Sequence, residues 1–383
     1  MVLARRALEI TPFLVMEVME EAQRMQRAGE HVIHLEVGEP DFDTPACVTE
    51  AALRALRGGQ THYTHSMGVC ELREAIGDDY RRRYGAQVVP EQIVVTQGTS
   101  PALFMAFAAI LEPGDEVILA NPHYACYPNY IRFAGGVPVF VDIKEEEGYQ
   151  LGADEIAKKI TPRTKAILIN TVANPTGVVM SAESMAAIAN LGPLVISDEI
   201  YHGLVYEGRE HSILEFTANA CALNGFSKLY AMTGWRLGYI IAPPEIARAL
   251  QKIQQNFFIS ANAFVQWGAL TALREPACQI EVERMCQTYA KRRLFMLERL
   301  AQLGLRIPHP PTGAFYVLVN FKRYSQDSLR FAFDLLREAK VAAAPGIDFG
   351  SNAEGYLRFC YATSLENIAE GMDRLGRYLA RLS

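Results

Sequence analysis

The chain has 383 residues, is 50% hydrophobic and 21% charged, and carries a formal net charge of −6. That balance predicts a globular protein long enough for two cores, and it lacks the basic stripe that nucleic acid or an anionic membrane demands. The seven cysteines are scattered without a C-x-x-C pair, which predicts neither a disulfide framework nor a zinc or other metal site.

At the amino terminus, MVLARRALEI has no signal-peptide core, and no uncharged apolar run approaches the ~20 residues that span a bilayer. The expected compartment is therefore the cytoplasm. Arg81, Arg82 and Arg83 precede Gly85 and are expected to form a solvated helix end. Then come IVVTQG, EVILAN, VPVFVDI, KAILIN, PLVISDE, ACALNGFS and RLGYIIAP. Short apolar runs separated by helical patterns predict an α/β domain. Because most runs are apolar on both faces, they predict a mostly parallel seven-stranded sheet covered by helices on both sides, over roughly residues 45–275. A helical stretch from Glu245 to Leu273 is interrupted near Ser260–Asn262.

From Gln279 to Leu303 an amphipathic helix is closed by Gly304, followed by the strand AFYVLV, a helix over Ser328–Lys340, the strand YLRFCYA and a last helix. Thr363 and Glu366 have capping-box spacing for that last helix. These segments predict a smaller α+β domain from residues 276–383 together with 1–44. There is no internal repeat or low-complexity linker, so the two domains are expected to share a cleft.

Four strand ends carry chemistry. At VTQGTSP a strand stops at Gly98, and Thr99, Ser100 and Pro101 follow. Pro101 suits the first position of a helix, and a helix amino terminus after a strand is an anion site. KAILIN leads to Asn174, Pro175, Thr176 and Gly177, and PLVIS to Asp198 and Glu199. Ligands of open α/β sheets gather at such carboxyl ends. After ACALNG comes Lys228, set among Phe226, Leu229 and Tyr230 with Arg236 eight positions on. Desolvation and a like charge both lower a lysine pKa, and a neutral amine is a nucleophile fit for a Schiff base.

Taken singly, these are a capped helix, a turn, an Asp turn and a snorkelling lysine. Together they match what pyridoxal 5'-phosphate needs: a lysine for its aldehyde, a carboxylate for its ring nitrogen, a donor for its phenolate and a phosphate cradle. Arg358, in YLRFCYA, is flanked by apolar residues. Burial of its charge without a partner would cost several kcal/mol, so it is either a solvated edge-strand arginine or the partner of an anion.

The series N-P-T-G, D-E-I-Y, F-S-K and G-W-R-L-G-Y, with Asn174, Asp198, Lys228 and Arg236 spaced 24, 30 and 8 positions apart, resembles the class I/II aminotransferases of fold type I. The likeness runs from VGEPDFDTP through YTHSMG, LEPGDEV and NPHYACY to YLRFCYA. It implies a pyridoxal-phosphate-dependent aminotransferase working by a ping-pong mechanism. Lys228 would form the Schiff base and shuttle the proton, and Asp198 would pair with the ring nitrogen. Asn174 and Tyr201 would hold the phenolate oxygen, and Tyr124 would stack on the ring. Gly98, Thr99, Ser100, Ser227 and Arg236 would hold the phosphate. Arg358, with Asn174 and the Gly38 backbone, would bind the substrate carboxylate. The resemblance further implies a homodimer in which Tyr63 reaches the neighbouring site.

Gly225 stands where many relatives have a phosphate-binding serine, which implies a weaker phosphate grip. No basic residue accompanies Thr99–Pro101, and Phe13 replaces a small hydroxylated residue at the expected substrate mouth. Both favour a neutral, small or hydrophobic amino donor over aspartate. An aspartate-type aminotransferase and a β-eliminating lyase on the same fold are the alternatives. A nicotinamide oxidoreductase is excluded by the lack of G-x-G-x-x-G after a strand, and an aminotransferase-like regulator, which would carry an added DNA-binding domain, is not expected.

Overall fold

The strands of the computed structural model, which describes residues 2–382, follow the apolar runs. After the two-residue β1 (Ile33–His34) come β2 (Ile93–Thr96), β3 (Glu116–Asn121), β4 (Val137–Asp142), β5 (Thr164–Asn170), β6 (Leu194–Asp198), β7 (Ala220–Gly225) and β8 (Gly238–Ile241). The last seven form one sheet in the order β2-β8-β7-β6-β5-β3-β4. Only β8 runs antiparallel to its neighbours, and the remaining pairings are parallel.

Side chains alternate across a strand, and here each face has its own core. Ile118, Ile167, Val195 and Ala222 point to one, which is covered by Leu72 and Ile76 of helix Cys70–Tyr84 and Val265 of helix Ala263–Arg274. Val117, Leu168, Ile196 and Leu223 point to the other, closed by Leu103 and Ala106 of helix Thr99–Ile110 and Leu250 of helix Pro244–Phe257. A strand with apolar neighbours above and below must be apolar at successive positions, which is why the runs do not alternate.

The second unit has an antiparallel sheet in the order β11-β12-β9, from β9 (Tyr316–Asn320), β11 (Ala344–Pro345) and β12 (Tyr356–Cys360). A short β10 (Val341–Ala342) pairs with β1 in parallel. Helices Pro276–Gln302, Ser328–Ala339 and Leu365–Leu379 belong to the same region.

Four local expectations are corrected. The last helix is capped by Ser364, whose side chain accepts from the Asn367 N–H, while Thr363 accepts only from the Asn367 side chain. The chain turns one residue later than the capping-box spacing suggests. Pro101 is the third helical residue, because the helix already starts at Thr99. Arg83 is half-buried rather than solvated like the exposed Arg81 and Arg82: it pairs with Asp79 and with Glu210 from a distant loop. Cys47 and Cys278, 231 positions apart, form a disulfide with Cα atoms 6.2 Å apart, because the helices that begin beside them start next to each other. No local spacing could announce that pair. Among the described residues, no helix is long and apolar enough to cross a membrane.

Candidate active site

The carboxyl ends of β2, β5, β6 and β7 meet the second unit around a cavity of about 310 Å³. Gly98 caps helix Thr99–Ile110 with φ 90°, a left-handed conformation that favours glycine. A Cβ there would lie 2.6 Å from Arg236 Nη2, and one on Gly238 would lie 2.8 Å from the Thr99 nitrogen. Two glycines thus keep the helix amino terminus open beside a guanidinium. Thr99, Ser100 and Arg236 line the cavity, and first-turn amides have no acceptor within their own helix.

Asp198 ends β6 and is 4% exposed. Its Oδ2 accepts from Tyr127 Oη at 2.7 Å and its Oδ1 from the Ile200 N–H at 3.2 Å. Burial pushes the carboxyl up to about 6, while those two bonds and the Lys228 charge oppose the shift. Asn170, at the end of β5, laces the neighbouring strand ends together. It donates to the Asp198 carbonyl at 3.0 Å and accepts from the Asn174 N–H at 2.8 Å.

Lys228 Nζ donates to the Gly38 carbonyl at 2.6 Å and lies 6.0 Å from the centre of the Tyr201 ring. Desolvation lowers its pKa to about 8; the nearby Arg358 and Arg236 charges act in the same direction, against Cys360 and Glu39. The Tyr201 hydroxyl shares a 2.7 Å hydrogen bond with that of Tyr316, and burial raises its pKa well above the ordinary value.

Arg358, on β12, is 2% exposed. One amino group donates to Asn174 Oδ1 at 2.8 Å and the other to the Glu36 carbonyl at 2.6 Å, with the guanidinium 4.2 Å from the Tyr316 ring centre and 4.8 Å from that of Phe349. Its Nε has no partner. The solvated edge-strand alternative is thereby ruled out.

Of the residues singled out from the sequence, Gly38, Thr99, Ser100, Tyr124, Asn174, Asp198, Tyr201, Ser227, Lys228, Arg236 and Arg358 all line this cavity. Gly98 stands behind the helix start. Tyr63 does not line it and is 84% exposed on the surface. At Gly225 a Cβ would meet Gly238 Cα at 2.9 Å and the Leu237 carbonyl at 3.0 Å, so the glycine also serves the close approach of β7 and β8.

Sequence reasoning missed Tyr127, Tyr316, Asn170 and Glu36. Asn170 had a usable signal, since it ends an apolar strand as Asp198 does. The two tyrosines and Glu36 had none, because their partners lie in other segments.

These groups fit pyridoxal phosphate. An open helix amino terminus beside Arg236 suits a phosphate. A buried carboxylate bonded only to neutral donors suits a protonated ring nitrogen, and an amine of lowered pKa suits an aldehyde. The unpaired Nε of Arg358 shows that its hydrogen-bonding capacity is unfilled.

A family model described as aminotransferase class I and II matches residues 30–375. The chain is 43% identical over 380 residues to a (5-formylfuran-3-yl)methyl phosphate transaminase of Methanocaldococcus jannaschii, covering 98% of this chain and 99% of the relative. It is 42% identical over 385 residues to an aspartate/prephenate aminotransferase of Thermus thermophilus, covering 99% of both. Among solved structures, aspartate aminotransferase from Thermus thermophilus with maleate superposes with a TM-score of 0.95 at 41% identity, over 98% of this chain and 99% of that one.

Proposed function

The chain belongs to the class I and II aminotransferases and is a pyridoxal-phosphate-dependent transaminase; from that premise we propose that its amino donor is a neutral, small or hydrophobic L-amino acid and its acceptor a 2-oxo acid. The eliminating lyase considered from the sequence is not favoured, since the relatives are named as transaminases.

One observation carries the donor assignment. Among the described residues lining the cavity, the cations are Lys228, Arg236 and Arg358. With one for the aldehyde, one for the phosphate and one for the α-carboxylate, this chain leaves none in its own cavity to read a second carboxylate. The remaining wall includes Phe13, Val15, Met16, Val37 and Leu103, which favours an apolar side chain.

When bound, pyridoxal phosphate supplies an aldehyde and a ring that withdraws electrons from the substrate α-carbon. Lys228 would provide the amine for the aldehyde and, when free, a base for the α-proton; its lowered pKa leaves a useful fraction neutral near pH 8. Asp198 would hold a proton at the ring nitrogen. Asn174 and Tyr201 would hold the phenolate oxygen, and Tyr124 would stack on the ring. Ser227, Arg236 and the amides after Gly98 would hold the phosphate. Arg358 offers a planar fork to the α-carboxylate, beside the backbone of Gly38.

We assign a homodimer to the working enzyme, with Tyr63 reaching the neighbouring site; its 84% exposure is what supports this. The cytoplasm remains the proposed compartment on the strength of five free thiols, though the Cys47–Cys278 bond counts against a wholly reduced chain.

The test mixes the purified holoenzyme with single amino acids, without an acceptor, and follows the cofactor spectrum. Alanine, leucine and phenylalanine are expected to convert it to the amine form, with Lys228→Ala lacking the starting band. A kcat/KM for aspartate above those three refutes the donor assignment.

A further inference from the structure

Part of the cavity's apolar wall, on which the donor assignment rests, belongs to the amino-terminal segment. Phe13, Val15 and Met16 line the cavity, and the Phe13 ring meets that of Tyr124 edge-on at 6.0 Å. They open helix Leu14–Arg27, whose N-cap residue, Phe13, has no side chain able to cap it. First-turn amides of a helix need an acceptor.

Here the acceptor comes from 334 positions away: Asp348 Oδ1 takes the Leu14 N–H and its Oδ2 the Val15 N–H, both at 3.1 Å. A carboxylate at this point also complements the helix dipole. Asp348 sits in the 3-10 turn Gly346–Phe349, and its neighbour Phe349 packs under Arg358. That turn is itself docked on the large sheet, where the His123 N–H donates to the Phe349 carbonyl at 2.9 Å and Asn352 Nδ2 to the Asn121 carbonyl at 3.1 Å. On the other side of the segment, Asn129 Nδ2 donates to the Thr11 carbonyl at 3.2 Å. Asn129 lies on helix Tyr127–Phe133, which also bears Tyr127, the partner of Asp198. The apolar wall is therefore strung between two polar clamps, one on each side of the cleft.

We propose that Asp348 is a positioning residue for donor specificity: by capping the first turn of Leu14–Arg27 it fixes the Phe13–Met16 wall against the donor side chain. The inference deepens the neutral-donor assignment and rests on it. Asp348 does not itself line the cavity, and it bonds to the backbone of Leu14 and Val15 rather than to Lys228 or Asp198, so its effect is expected in substrate binding.

The experiment compares wild-type holoenzyme with Asp348→Asn, which keeps the shape and leaves one acceptor oxygen for two amides. KM for leucine is expected to rise about tenfold, the upper range for a lost cap, while KM for alanine, kcat and cofactor affinity each stay within about twofold. Alanine is the control because its methyl group is too short to press on the wall. In a Phe13→Ala background the Asp348→Asn effect on the leucine-to-alanine ratio is expected to shrink, since coupled residues are not additive. Asn129→Ala, which removes the side chain of the opposite clamp, is expected to shift that ratio the same way and serves if Asp348→Asn folds poorly. Equal changes for both donors, no change at all, a shifted cofactor spectrum, or an undiminished effect without Phe13 overturns the proposal. A wild type that prefers aspartate overturns the donor assignment instead, and the leucine-to-alanine ratio still reports on Asp348.

Discussion

Arg358→Lys keeps the charge and removes the fork. In the wild type the guanidinium is 2% exposed, bonded to Asn174 Oδ1 and the Glu36 carbonyl, and held between Tyr316 and Phe349. A lysine ammonium is a compact point charge that cannot present two parallel donors to a carboxylate. Losing one charged hydrogen bond to the donor removes about 2 kcal/mol, which is about a 30-fold fall in kcat/KM. Because the α-carboxylate is bound alike before and during the reaction, most of that fall should appear as a higher KM. Every donor should suffer similarly, since all share the α-carboxylate. Cofactor affinity, followed by absorbance during dialysis, should stay unchanged. An unpaired Asn174 Oδ1 or Glu36 carbonyl should also lower unfolding stability by about 1–3 kcal/mol. A kcat/KM within about threefold of wild type for every donor, or a holoenzyme that loses its cofactor, would refute the assignment of this arginine to the substrate.

Two further outcomes follow from buried groups near the cavity. Glu199 is fully buried and accepts from Tyr80 Oη, Ser212 Oγ and the Ile213 N–H, each at 3.0 Å, yet burial still pushes its pKa up to about 7 from the ordinary 4.5. A folded-state pKa above the unfolded one means that the folded chain holds the proton more tightly. The stability from this group is then complete below about pH 4.5 and is lost, by about 3 kcal/mol, as pH rises through about 7. Denaturant unfolding at pH 5 and pH 8 should show a smaller difference for Glu199→Gln than for wild type, and equal differences would contradict the assignment. Gly225→Ser should destabilise by about 1–3 kcal/mol through overpacking against β8, with no gain in cofactor affinity by equilibrium titration; tighter binding would show that the hydroxyl does reach the phosphate.

The corrections have two causes, the coarseness of local spacing rules and contacts between distant segments. Ser364 rather than Thr363 caps the last helix because a spacing rule locates a boundary only to within a residue or two. Arg83 looked like one of three solvated arginines until a distant loop brought Glu210 to it. Gly225 invited a comparison with serine, and only the structure shows how closely β8 approaches it.

By itself the sequence determined the seven strands, since a strand covered on both faces must be apolar at successive positions. It also determined which polar residues lie at the strand ends, because Gly98, Asn174, Asp198 and Lys228 each follow such a run within a few positions. The tertiary structure alone decided what those residues touch: Tyr127 on Asp198, Asn174 and the Glu36 backbone on Arg358, Tyr316 beneath it, and Asp348 on the helix of the apolar wall. Local patterns record a residue's own face and period, whereas these contacts join segments from 42 to 334 positions apart and exist only once both cores have packed.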